Sequence, residues 1–257
     1  MKINNKKGII LAGGAGTRLH PITKVISKQL LPIYDQPMIY FPLSTLINSG
    51  VKDILIITTP EDQFLFKKLL DNRNDLGVNI DFEVQQEPEG IAQAFIIGKD
   101  WLGDSDSILI LGDNLFFGTD LSFVVNDACA NNNGATIFAY KVDEPNRFGV
   151  IEFDNDKNVI SIEEKPKKPK SNWVATGLYV YDQSVVSKVL DLKKSDRGEL
   201  EITELNNIYL KDKNLKVVLL DENYKWLDTG THETLLEASN TVRDIKSKFG
   251  SNFIGLK

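Results

Sequence analysis

Short runs of aliphatic and β-branched residues alternate with helix-like stretches through the first half of the chain, and this alternation limits the fold more than any other feature. Residues 8–12, 53–58, 79–85, 107–111 and 135–141 read as strands. Between them, residues 37–48, 61–70, 91–101 and 121–132 have helical spacing, and the last stretch stops at a run of asparagines and Gly134. Parallel strands need such long crossovers, whereas antiparallel neighbours need only a tight turn. The pattern therefore predicts a mainly parallel sheet with helices on both faces. After Lys141 the rhythm changes: residues 149–153, 159–163 and 174–181 are strand-like, and Asn155-Asp-Lys-Asn158 makes a hairpin turn between the first two. Helices return at 183–190, 201–211 and 231–248, and 165–170 reads as a surface loop. With no repeat and no linker, residues 1–257 are expected to form one α/β unit.

Composition matters chiefly for what it excludes. With 42% hydrophobic and 26% charged residues in 257, the chain is too apolar for disorder and long enough for a sizeable core. Cys129 is the only cysteine, which points to a reducing, cytoplasmic setting without disulfides. No apolar run approaches the roughly 18–20 residues of a membrane span, so no membrane partner is expected. The basic start followed by residues 8–16 superficially resembles a signal peptide. Most of that apolar core is glycine and small residues, however, and Arg18 interrupts it. A net charge of −6 makes nucleic acid a poor partner. That charge is uneven: Lys2, Lys6, Lys7, Arg18, Lys24 and Lys28 precede the first acid, Asp35. The basic segment is either a solvated end or a site for an anion.

Directly after the first strand comes Leu11-Ala-Gly-Gly-Ala-Gly-Thr-Arg-Leu19. Glycines let backbone N–H groups approach a phosphate closely, although a tight turn would use the same residues. The loop is not a P-loop, because Gly16 is followed by Thr17-Arg18 and not by Lys-Ser/Thr. Nor is it a dinucleotide fingerprint, because Leu19 stands where the third glycine belongs. That substitution, with no obvious catalytic His or Tyr–Lys arrangement, disfavours a dehydrogenase.

The extended pattern Gly13-Gly-x-Gly-Thr-Arg18-Leu-x-Pro21-x-Thr23, with Lys28 and Leu31-Pro32, resembles the signature of nucleotidyltransferases that make nucleoside-diphosphate sugars. Ser27-Lys-Gln-Leu-Leu-Pro-Ile-Tyr-Asp-Gln-Pro-Met-Ile-Tyr40 resembles the glucose-1-phosphate thymidylyltransferases in particular. The likeness continues through Leu111-Gly-Asp-Asn114, Phe148-Gly-Val150, Glu163-Glu-Lys-Pro166, Thr176-Gly-Leu-Tyr179, Arg197-Gly-Glu-Leu-Glu-Ile-Thr203 and Trp226-Leu-Asp-Thr-Gly-Thr-His-Glu233. It spans residues 7 to 240, and the order and number of these fragments make it specific.

The resemblance implies a Rossmann-like, three-layer α/β/α nucleotidyltransferase fold with a mixed, mainly parallel sheet. Residues 1–141 would form the nucleotide-binding half and 142–257 the sugar-phosphate-binding half. It implies attack of glucose-1-phosphate on the α-phosphorus of dTTP, giving dTDP-glucose and pyrophosphate, in a homo-oligomer (a tetramer or dimer). Leu11, Gly13, Gly14, Gly16, Thr17, Arg18, Gln29, Gln85, Gly90 and Asp113 would bind the nucleotide. Arg18, Lys28 and Lys165 would be catalytic cations. Asn114, Gly149, Glu164, Lys165, Thr176 and Arg197 would hold the sugar phosphate, with Glu199 orienting Arg197. Asp113 and Asp228 would hold Mg²⁺, a hard cation that takes one or two carboxylates plus substrate oxygens. Taken alone, Asp113 could form a turn and Asp228 could cap a helix, and His20 and His232 read as structural. The charges make cations necessary, since one unlike or like pair at 4 Å is worth about 4 kcal/mol at an effective dielectric near 20.

Three alternatives stay open at this point. The base could be uracil, since one methyl is worth only about 1–3 kcal/mol in a pocket. Another nucleotide or sugar phosphate could serve, or the chain could be a non-catalytic nucleotide-sugar sensor. Phe148 and Trp173 stand where the family often has Tyr, which bears on sugar preference. Long family members continue several tens of residues past the position of Lys257, in a tail used for subunit packing and feedback by dTDP-rhamnose. The expectation is that catalysis is retained and this regulation weakened or altered; equal inhibition by dTDP-rhamnose at a remote site would refute it.

Overall fold

The structure, a computed structural model, describes residues 6–71 and 73–250. Its first half contains β1 (Lys6–Ala12), a small hairpin of β2 (Pro32–Ile33) and β3 (Gln36–Pro37), α1 (Tyr40–Asn48), β4 (Asp53–Thr58), α2 (Gln63–Leu70) and β5 (Asn79–Val84). Then come α3 (Gln93–Ile97), α4 (Lys99–Leu102), β6 (Asp106–Leu111), β7 (Asn114–Phe117) and α5 (Leu121–Ala130). The second half holds β8 (Ala135–Lys141), β9 (Gly149–Phe153), β10 (Val159–Glu164), β11 (Trp173–Tyr181), α6 (Val185–Leu190) and α7 (Ile202–Lys211). It closes with β12 (Leu215–Leu220), β13 (Lys225–Asp228) and α8 (His232–Phe249).

The main sheet runs β12-β8-β11-β6-β1-β4-β5. All its neighbours are parallel except β11, which is antiparallel to both β6 and β8. The β9–β10 hairpin joins beside β11 at Val150 and Val174. This is the three-layer α/β fold with a mixed, mainly parallel sheet. Continuous apolar strands are what a sheet covered on both faces requires. Ile9 and Ile10 point to opposite sides, as strand geometry dictates. Ile10, Ile54, Ile56 and Ile110 pack under Leu43 and Leu46 of α1, Phe66 of α2 and Val125 of α5. Ile9, Leu55, Ile57 and Leu109 pack under Phe95 of α3, Val189 of α6 and Tyr209 of α7.

Several elements differ from the sequence expectation. Pro37 belongs to the β2–β3 hairpin, and α1 begins only at Tyr40. The stretch 91–101 is broken at Gly98, which approaches the sheet so closely that a Cβ there would lie 3.1 Å from Leu55 Cδ2. The strands β7, β12 and β13 had no counterpart in the sequence reading. Two of them position the site: β7 and β13 pair antiparallel with Asn114 opposite Asp228. A third apolar cluster fastens this ribbon, with Leu115, Phe117 and Leu227 packed on Phe41, Met38 and on Ala238 and Val242 of α8.

Candidate active site

The carboxyl ends of β1 and β6 open into a cleft of about 680 Å³, where open α/β sheets bind ligands. Its lining includes Leu11, Gly14, Arg18, Gln85, Gly90, Asp113 and Asn114 on one side. Gly149, Glu164, Lys165, Thr176 and Arg197 line the other side, with Asp228 also facing in. The structure thus gathers thirteen of the expected positions into one cavity.

The glycine loop is tied down at several points. Gly13 is buried, and a Cβ there would lie 2.1 Å from Gln85 Oε1. Gly16 has φ +61°, a left-handed conformation that favours glycine, and its carbonyl accepts from Thr23 Oγ1 at 2.7 Å. The short turn Thr17–Leu19 buries Leu19 completely and leaves Thr17 and Arg18 exposed. The Arg18 guanidinium lies against Gly230, where a Cβ would come within 2.5 Å of Nη2. Gly13, Gly16, Thr17, Lys28 and Gln29 lie outside the lining itself. Gln29 is 2% exposed, accepts from Ser27 Oγ at 2.6 Å and packs beneath Gly112.

Two carboxylates meet because of the β7–β13 register. Asp113 is buried and ion-paired with Lys28, and Asn114 Nδ2 donates to its Oδ1 at 3.1 Å. The Asp113 carbonyl accepts from Thr229 N at 3.0 Å and from Thr229 Oγ1 at 2.7 Å, which locks one aspartate's strand to the other's. Burial alone would raise the Asp113 carboxyl, but the Lys28 charge and the hydrogen bonds from Lys28 and Asn114 outweigh it and hold it below the usual range. Asp228 goes the other way. Burial, and then the negative charge of Asp113, push it up to about 6, against the pull of Lys28, Arg18 and Arg147. Asp228 does not cap α8: Thr231 does, in a reciprocal pairing with Thr234. No group of three or more His, Cys, Asp or Glu could hold a metal among the described residues. Two carboxylates suit a hard divalent cation that takes its remaining oxygens from phosphate and water.

The opposite wall is built on the β9–β10 hairpin, where Glu164 pairs in register with Gly149. Glu164 accepts from Thr203 Oγ1 at 2.5 Å and lies 3.3 Å from Lys165 Nζ and 3.7 Å from Arg197 Nη2. Arg197 also pairs with Glu199 and Glu201, each at 2.9 Å. Thr176 donates to the Phe138 carbonyl at 2.9 Å. A register shift in β11 between Ala175 and Tyr179 turns Gly177 N toward Asn114 Oδ1 at 3.0 Å. Trp226 Nε1 also donates to that oxygen, at 2.7 Å, so the Asn114 amide is a strut between β7, β11 and β13.

Arg147 lines the cleft without having been named in the sequence, and Tyr179 and Trp226, parts of the quoted motifs but given no role there, line it too. The Arg147 guanidinium stands 4.0 Å from Asp228 Oδ2. Its only signal was its place in Pro145-Asn-Arg147-Phe148-Gly149, a turn before a strand. Phe148 faces the cleft edge-on to Trp226, with centroids 5.2 Å apart, whereas Trp173 packs on Phe153 outside the lining. His232 begins α8, within 3.3 Å of the His20 carbonyl.

The nucleotidyl transferase family model matches residues 7–245. Glucose-1-phosphate thymidylyltransferase of Neisseria meningitidis serogroup A is 53% identical over 241 residues, 94% of this chain and 84% of that protein. The enzyme of the same name from Xanthomonas campestris pv. campestris is 52% identical over 96% of this chain and 84% of its own length. A crystal structure from Bacillus anthracis, assigned as a glucose-1-phosphate thymidylyltransferase and complexed with sucrose, has a TM-score of 0.86 at 43% identity, covering 93% of this chain and 96% of that one. UDP-glucose pyrophosphorylase complexed with UDP-glucose has a TM-score of 0.81 over 93% and 98% of the two chains; at 24% identity it shows the shared fold. The chain belongs to the nucleotidyl transferase family and, within it, to the glucose-1-phosphate thymidylyltransferases.

Proposed function

We propose that this chain transfers the thymidylyl group of dTTP to glucose-1-phosphate, releasing pyrophosphate. The observation that carries the reading is the pairing of buried Asp113 with half-buried Asp228, set among Lys28, Arg18 and Arg147 at the mouth of the parallel strands. Few arrangements need two adjacent carboxylates and three cations together; two polyanions joined at a phosphorus do. A sugar-phosphate oxygen attacks the α-phosphorus while the bond to pyrophosphate breaks and its electron pair leaves with that group. The site's contribution is positioning and charge, with no enzyme nucleophile.

The cation that suits Asp113 and Asp228 is Mg²⁺, which when bound neutralises phosphate charge. The loop at Gly13, Gly14 and Gly16 supplies close backbone donors, and Arg18 and Lys28 supply fixed positive charge near the triphosphate. Gln85 and Gly90 face the base, with Leu11, Thr17 and Gln29 supporting the nucleotide. Glu164 accepts from sugar hydroxyls, in a pocket shaped by Asn114, Gly149 and Thr176. Lys165 and Arg197 leave their glutamate partners for the sugar phosphate.

Pyrophosphate release from glucose-1-phosphate with dTTP, UTP or another NTP, each offered separately with Mg²⁺, tests the reading. The expected result is fastest turnover with dTTP. No turnover with any nucleotide would leave a sensor, and faster turnover with UTP would overturn the thymidylyl assignment.

A further inference from the structure

Gln85 follows β5 and is 4% exposed, yet only one end of its amide is occupied. Its Nε2 donates to Gln93 Oε1 at 2.6 Å. Its Oε1 lies beside Gly13, on a residue that lines the cleft, and accepts from no donor among the described residues. A primary amide can turn over unless its neighbours distinguish nitrogen from oxygen. Here they do, through groups whose polarity cannot be reversed. The Glu89 backbone N–H is a donor only, and it donates to Gln93 Oε1 at 3.1 Å. The Glu89 carboxylate accepts Gln93 Nε2 at 3.1 Å and is itself ion-paired with Lys194. Gln93 therefore has one orientation and shows an oxygen to Gln85. Gln85 in turn gives its nitrogen to Gln93, which leaves its oxygen, beside Gly13, as an acceptor on a residue that lines the cleft.

An oxygen held in that position accepts a ring N–H and meets a bare ring nitrogen as a second acceptor. Thymine and uracil carry a hydrogen on N3; cytosine carries a lone pair there. Mismatched polarity at a buried group is the kind of discrimination that a hydrogen-bonding site makes sharply. We propose that Gln93 is a specificity-determining positioning residue, which fixes the Gln85 amide with its carbonyl toward the base and so selects nucleotides bearing N3–H over cytosine nucleotides. This rests on the functional reading above, in which Gln85 meets the base edge.

The test compares kcat/KM for dTTP and dCTP, with glucose-1-phosphate as acceptor. Gln93→Met keeps the chain length and removes both polar atoms. It should lower the dTTP:dCTP ratio at least tenfold, with the dTTP change falling in KM more than in kcat. The double exchange Glu89→Gln with Gln93→Glu again sets each donor against an acceptor, and should restore the ratio to within about threefold of wild type. An unmoved ratio in Gln93→Met, or an exchange variant no better than Gln93→Met, overturns the proposal. Should Gln93→Met fail to fold, Gln93→Lys replaces it. It offers only donors, pairs with Glu89 and should turn the Gln85 amide, shifting the ratio toward dCTP; an unshifted ratio has the same adverse meaning. Wild-type turnover of dTTP tests the underlying reading separately. Without such turnover, thermal-shift titration decides: a wild-type preference for dTTP over dCTP that Gln93→Met loses supports the proposal, and an absent or unmoved preference overturns it.

Discussion

On the wall built from β1 and β6, Lys28 and Asp113 pair with side chains only 13% and 10% exposed, whereas on the wall built from β9, β10 and the 193–201 segment Arg197 is 41% and Lys165 45% exposed. The first wall holds its charge in place before any ligand arrives. Breaking a buried pair by removing one partner typically costs 3–5 kcal/mol. The second wall is a cluster of two cations and three glutamates, Lys165 and Arg197 with Glu164, Glu199 and Glu201. The pairs of Lys165 with Glu164 and of Arg197 with Glu199 are of the exposed kind worth about 0–1 kcal/mol. Arg197 is also held by Glu201, whose side chain is only 8% exposed, so a phosphate recruits Lys165 at less cost than Arg197. One wall is built to be rigid toward a triphosphate, the other to re-pair around a sugar phosphate.

That contrast orders the mutations. The largest effect is expected at Asp113, where Asp113→Ala should lower turnover at least 10³-fold. The β7–β13 junction should survive, because Thr229 holds the backbone carbonyl of Asp113 and not its carboxylate. Unimpaired turnover in a folded Asp113→Ala protein would remove Asp113 from the cation site.

Asp228 tests how the fixed wall stores charge. Its pKa of about 6 in the folded chain stands above the ordinary 3.8 because burial, and then Asp113, oppose ionisation. Between those two values the folded state binds more protons than the unfolded state, so stability falls as pH rises through the window. Above pH 6 the penalty is present in full. Without divalent cation, Asp228→Asn should therefore raise Tm by several degrees near pH 7.5 and leave it unchanged near pH 3.5, while abolishing turnover. A lowered Tm at pH 7.5 would contradict the charge account.

The smallest effects belong to the exposed wall. Arg197→Met should raise KM for glucose-1-phosphate about tenfold with little change in KM for dTTP, as removal of one charge-assisted contact implies. Glu199→Gln should change either constant less than threefold. If Glu199→Gln were as damaging as Arg197→Met, Arg197 would have to be held rigidly and the contrast between the walls would fail.

The same contrast marks what could be read from the sequence. The fixed wall was legible where its parts are local. An apolar strand followed by glycines, and Asp113 just past another apolar strand, carry their positions in the pattern of neighbouring residues. The junction of Asp113 with Asp228 was legible only through the family resemblance and not from local pattern, because it depends on the register of two four-residue strands far apart in the chain. Strands that short give too little alternation to register as a pattern. Residues 215–220 form a strand with mixed exposure, paired among the described residues only with β8, which blurs the alternation expected of a half-buried strand. Arg147 and Gln93 escaped for another reason. An arginine in a turn and a glutamine at a helix start read as solvated surface until the tertiary structure shows what they face.

The central claim is a direct transfer between two bound polyanions with no covalent intermediate on the protein. It is tested most directly with dTTP labelled at the α-phosphorus, incubated with glucose-1-phosphate and Mg²⁺. The label should appear in dTDP-glucose at the rate pyrophosphate is released, with none retained by the denatured protein. Label bound to the protein, or recovered only as dTMP, would contradict the account.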